Sequence, residues 1–126
     1  MGVRVQSFLE LDVYKVVFSV QQEIFQLSKL WPSEEKYALT DQIRRSSRSI
    51  GANLAEAWAK RRYVAHFLSK CTDADGELQE TEHWLTTAWA CDYIMKDQYE
   101  ALLNRLLLLG RKLGSVIQKH EAFRAV

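Results

Sequence analysis

Apolar residues recur at three- and four-residue steps through almost the whole of this chain, and very little interrupts them. There is one proline, Pro32, and only five glycines. These two residue types punctuate turns, so their scarcity favours a few long helices over many short strands. Four stretches carry the helical period. The first runs from about Leu9 to Leu30, with Val13, Val17, Val20, Ile24 and Leu27 as its stripe and Tyr14, Phe18 and Phe25 widening it. Trp31-Pro32 ends it, because a residue before proline is pushed out of the α region. The second begins near Ser33, a candidate N-cap, with Glu34 and Glu35 in the positive first turn. Its face holds Leu39, Ile43, Ile50, Leu54 and Ala57, with the small Ser46 and Ser47 filling the gap. Gly51 is an internal weak point, costing about 1 kcal/mol relative to alanine.

The third stretch runs from about Val64 to Tyr93 and keeps the period through Phe67, Leu68, Cys71, Ala74, Leu78, Thr81, Leu85 and Ala88. The fourth runs from Asp97 to about His120, with Tyr99, Leu102, Leu106, Leu113, Val116 and Ile117 as its stripe. Gly110 and Gly114, four apart, read either as a close-approach surface or as a softer helix end. The connections around Pro32, Arg62-Tyr63 and Lys96 are short, and short links make sequence neighbours antiparallel. The expectation is an all-α, antiparallel up-down-up-down four-helix bundle, one domain over residues 1–126. Leu39, Ile43, Ile50, Leu54, Leu68, Leu78, Leu85, Leu106 and Leu113 should be core.

Composition narrows the function classes. With 48% apolar and 26% charged residues, the chain has the balance of a soluble globular protein. The Met1–Leu11 segment lacks a basic stretch leading into an apolar run, and Leu106–Leu109, the longest pure apolar run, is far too short to cross a bilayer. A cytoplasmic location without membrane contact follows as an expectation. Cys71 and Cys91 are twenty positions apart on one expected helix, about 30 Å at 1.5 Å per residue, so they should be free thiols.

No nucleophile elbow, phosphate-binding glycine loop, H-E-x-x-H or paired CxxC is present. Glu80-x-x-His83 is half of a di-iron motif, but the motif occurs once, since Tyr63 and Ile117 stand three positions before His66 and His120. The expectation is a non-enzyme without metal or cofactor. Cys71 reads as a core thiol, with Asp73 and Asp75 nearby tending to raise its pKa.

Charge is segregated behind a net charge of +1. Arg44, Arg45, Arg48, Lys60, Arg61 and Arg62 cluster on the second helix and its end. Asp73, Asp75, Glu77, Glu80 and Glu82 cluster on the third with no basic residue among them. Three readings stand side by side: solvated helix faces, complementary patches pairing between subunits, and a basic patch for RNA or DNA phosphates. Four tryptophans are many for 126 residues. Trp58, Trp84 and Trp89 are candidates for an oligomer interface, where tryptophan is enriched, or else they cap the bundle ends. Asn53 should be a structural polar group, buried or nearly so beside the core, taking Glu80, Thr81 or backbone carbonyls as partners.

The run Trp31-Pro32-Ser33-Glu34-Glu35-Lys36-Tyr37-Ala38-Leu39-Thr40-Asp41-Gln42, then Arg44-Arg45 and Ser49-Ile50-Gly51-Ala52-Asn53-Leu54-Ala55-Glu56, resembles the four-helix-bundle family encoded by intervening sequences of bacterial 23S rRNA genes. Phe67-Leu68, Gly76, Glu80, Leu85, Ala88 and Tyr93-Ile94 continue the likeness, so it covers roughly Phe8 to Ile117. Gly51 stands where the family has proline, Ala57 and Asp92 where it has glycine, and Glu77 where it has serine. The Ala57 change suggests that the second helix continues where relatives turn. The resemblance implies a homopentameric ring and no established activity. A structurally similar bundle, the accessory variability protein of diversity-generating retroelements, is also pentameric and binds reverse transcriptase and nucleic acid through basic surfaces, a likeness at the level of fold. The expected function is a non-enzymatic oligomeric scaffold that contacts RNA or a nucleoprotein partner through the basic patch. The alternative is a ring whose charged patches serve assembly only, with an unknown protein partner.

Overall fold

The four periodic stretches form four α-helices: α1 (Asp12–Ser28), α2 (Asp41–Ala59), α3 (Val64–Ala90) and α4 (Lys96–Arg124). This computed structural model describes residues 5–124, and the side chains as far as Glu121. Consecutive helices pack on one another, with α2–α3 the most extensive seam, and α4 returns to α1 to close the bundle. The cross-helix contacts run antiparallel. On α1–α2, Ser28 meets Arg44 while Val17 meets Gly51. On α2–α3, Arg45 meets Glu77 while Glu56 meets Lys70. On α3–α4, Trp89 meets Tyr99 while Phe67 meets His120.

All nine expected core residues are buried, and Val17, Val20, Ile24, Trp31, Leu102 and Leu109 join them. Ser46 and Thr81 are fully buried at the α2–α3 seam, and Ser47 is fully buried on the side of α2 that carries Arg44 and Gly51. The Thr81 and Ser46 hydroxyls lie 2.9 Å apart, and Thr81 also donates to the Glu77 carbonyl at 2.8 Å. Small hydroxyls let the two helices approach, and each has a partner, which a buried polar group requires.

Two boundaries differ from the sequence expectation. Ser33 does not cap the second helix. Pro32 precedes a 3-10 turn over Ser33–Glu35, a π-helical turn covers Lys36–Thr40, and α2 begins only at Asp41. The connection buries Trp31, Leu39 and Thr40 as it passes between helices, and that burial outweighs a regular helix start. The Tyr93 hydroxyl donates to Glu35 at 2.8 Å and anchors this segment; that bond, with burial, pushes the phenol up to about 12. At the other boundary α3 stops at Ala90, not Tyr93. Asp92 takes φ 63°, the Asp92 N–H bonds the Trp89 carbonyl, and the Tyr93 N–H bonds the Ala88 carbonyl. This is a Schellman ending, which places its left-handed residue where glycine is favoured. It gives a physical reason for glycine at this position in the family pattern. α2 does run through Ala57 to Ala59. Among the described residues no helix is long and apolar enough to cross a membrane.

Candidate nucleic-acid interface

Helical rotation sorts the basic residues of α2 by neighbour. Arg44 and Arg48 are one turn apart and share a face, and that face looks onto the end of α1. There the Phe25 ring has the Arg44 guanidinium 4.7 Å and the Arg48 guanidinium 5.2 Å from its centroid. The Lys29 ammonium, just past the end of α1, lies 4.7 Å from the same ring. Arg44 Nε also donates to Ser28 Oγ at 2.8 Å, and the buried Ser28 hydroxyl in turn bonds the Phe25 carbonyl. The three cations are thus positioned by one ring and one hydroxyl. None of them joins an ion pair among the described residues. Three like charges held together repel one another, and an anion placed among them removes that cost. Cation–π contact offsets part of it meanwhile.

Along the same α1–α2 seam, Tyr14 and Phe18 stack with centroids 6.1 Å apart. With Gln21, Arg48 and Gly51 they line an open groove of about 330 Å³. Gly51 brings the helices close here: a Cβ would sit 3.4 Å from Tyr14 Cε1. Aromatic and cationic side chains therefore alternate along one surface.

The other candidate residues lie elsewhere. Arg45, one position on from Arg44, turns to α3 and pairs with Glu77 at 3.3 Å and with Glu80. Part of the charge pairing considered between subunits thus exists within one chain. Arg61 folds over Trp58, 4.1 Å from its ring, and donates to the Trp58 carbonyl. Lys60 and Arg62 stand exposed at the turn into α3. The six residues do not form one patch.

Asn53 is half-buried, and its amide donates to the Ser49 carbonyl of its own helix at 2.9 Å. Glu80, offered as its partner, is taken by Arg45 instead, because Glu80 and Arg45 face each other across the α2–α3 seam. Trp84 packs half-buried against the core, its indole N–H buried without a protein acceptor. Trp58 is half-buried in the wall of an apolar cavity of about 290 Å³ that also touches Leu54, Phe67, Cys71 and Leu113. Trp89 is 39% exposed and lies flat on Tyr99 at 4.7 Å.

Burial pushes the Cys71 thiol up to about 11, so it is held protonated and is a poor nucleophile. Burial, then Asp75, raises the Glu82 carboxyl, which lines an α3–α4 groove. Among the described residues no group of three His, Cys, Asp or Glu side chains comes together as a metal site. Lys29 and Phe25 were missed as site residues by the sequence reading. Their spacing, one turn apart at the end of a helix next to a basic stretch, was the signal that could have found them.

Fold and surface together define an all-α four-helix bundle whose candidate site is an open seam between two helices. The chain belongs to the 23S rRNA-intervening sequence protein family, whose model matches residues 9–115. A solved structure from the S23 ribosomal protein family, a protein of unknown function from Bacteroides thetaiotaomicron, is similar at 34% identity and a TM-score of 0.75. The alignment covers 84% of this chain and 95% of that one. No curated protein matches the chain.

Proposed function

We propose that this protein is a non-enzymatic, oligomeric RNA-binding scaffold acting in the cytoplasm, and that Lys29, Arg44 and Arg48 hold the phosphates. One observation carries the reading: three cations converge on Phe25, and none is in an ion pair among the described residues. The family's link to 23S rRNA genes makes structured RNA the natural first probe. Exposed Lys60 and Arg62 would add longer-range attraction. Fluorescence anisotropy with a labelled RNA stem-loop tests it. Affinity should fall steeply between 50 and 200 mM salt, because bound phosphates release counterions. Absence of binding at the lower salt would defeat the reading.

A second reading, a ring whose surfaces serve assembly, is favoured by a different observation. Leu107, Leu108 and Val116 on α4, and Val16 on α1, are exposed. Exposed apolar side chains on two different helices suit a head-to-tail contact, which closes into a ring when the rotation per subunit divides the circle. The number five comes from the family likeness. Light scattering at low and high salt checks it: an apolar contact persists in salt, a charge-driven one weakens, and a monomer at micromolar concentration in both refutes the ring.

A further inference from the structure

We infer that the α1–α2 seam accepts an unpaired nucleotide, its base against Phe18 and its phosphate on Arg48, so that the protein prefers single-stranded to duplex RNA. This rests on the RNA reading above and adds the class of RNA. Phe18 is 44% exposed among the described residues although it is a large apolar ring. Its neighbour Tyr14 lies at 26° to it and takes the Phe8 ring edge-on at 5.0 Å, so Phe18 is the exposed ring of a three-ring cluster and presents the stacking surface. Arg48 reaches both places, lining the groove with Phe18 while its guanidinium sits over Phe25.

Phe18 and Phe25 are seven residues apart on α1, about 10 Å along the axis at 1.5 Å per residue. A drawn-out single strand covers that distance in about one to two nucleotide steps, so a base at Phe18 puts the phosphates that follow it near Arg44 and Lys29. Gln21, in the same groove, presents an amide that can donate to and accept from a base edge. Bases in a duplex are already stacked and paired and cannot reach such a surface, whereas single-strand binding combines a cationic track with aromatic platforms.

The test uses the full chain, a twelve-nucleotide RNA carrying 2-aminopurine, and its blunt duplex. The wild type should bind the single strand at least tenfold more tightly and quench the 2-aminopurine. Phe18→Leu keeps an apolar side chain at an exposed position and should keep the helical circular-dichroism signal. It should weaken single-strand binding about fivefold or more, the effect of one base–aromatic stack, abolish quenching, and leave the duplex affinity and salt slope unchanged. The Lys29→Gln, Arg44→Gln, Arg48→Gln variant should weaken both RNAs and flatten the salt slope. Equal affinity for the two RNAs, with Phe18→Leu silent and the cation variant still weak, overturns the base site alone. Binding of neither RNA by the wild type overturns the RNA reading and the base site together.

Discussion

Arg44 and Arg45 are adjacent in the chain and have different fates. Arg45 turns toward α3, where Glu77 and Glu80 neutralise it on a seam that also buries Ser46 and Thr81. Arg44 turns toward α1, where it meets an aromatic ring, a serine hydroxyl and two more cations. The first seam is built to hold the bundle together, with close packing and paired charge. The second is less extensive, carries the exposed Phe18 and half-buried Phe25 rings, and holds cations that pair with no carboxylate among the described residues. A basic stretch in a sequence therefore does not describe a basic surface. Rotation about the helix deals successive arginines to different neighbours, and the neighbours decide which charge remains.

If this division is right, perturbations on the α2–α3 side should act on stability. Ile50→Ala should have the largest effect. Ile50 is fully buried one turn beyond Ser46 on the face of α2 that meets Thr81, and such a truncation costs about 2–5 kcal/mol; urea unfolding checks it. Thr81→Val should come next, at about 1–2 kcal/mol, because it removes the buried hydroxyl pairing with Ser46 at similar volume. The same variants should show little change in RNA affinity for the protein that remains folded.

On the α1–α2 side, Gly51→Ala should stabilise by up to about 1 kcal/mol through helix propensity. The added Cβ meets Tyr14 at 3.4 Å, an ordinary contact. A loss of stability would show that this seam is packed as tightly as the other and would blur the contrast. Arg45→Ala should be the smallest, below about 1 kcal/mol, since its side chain is 50% exposed and solvent screens the pair. A large loss there would mean that the ion pair, more than apolar packing, joins α2 to α3.

The division also explains what could be read in advance. The core followed from periodicity, since burial on a helix depends mostly on a residue's own position in the stripe; Leu39 to Leu113 came out as expected. Ser46 and Ser47 were legible as small residues in a gap of that stripe. The site was only partly legible because a charge's freedom to bind depends on what stands opposite, and that is a property of another helix. Arg44, Arg45 and Arg48 looked equivalent in sequence. Phe25 looked like a core residue, although it is half-buried and its face carries Lys29, Arg44 and Arg48. Of the partners open to Asn53 it takes a backbone carbonyl, that of Ser49, while Arg45 claims the Glu80 carboxylate. The irregular passage from Trp31 to Thr40 was hidden for a related reason: burial of Trp31 and Leu39, a tertiary demand, overrode a good local capping sequence.

A salt titration of RNA affinity on two variants separates the proposed binding role of Arg44 and Arg48 from the packing role of their neighbour Arg45. Arg44→Gln with Arg48→Gln should lower the slope of log affinity against log salt by about 2, roughly one for each phosphate that is no longer neutralised. Arg45→Gln, which removes a cation already held by Glu77 and Glu80, should leave the slope at the wild-type value. A slope lowered equally by Arg45→Gln, or left untouched by the double variant, would contradict the account.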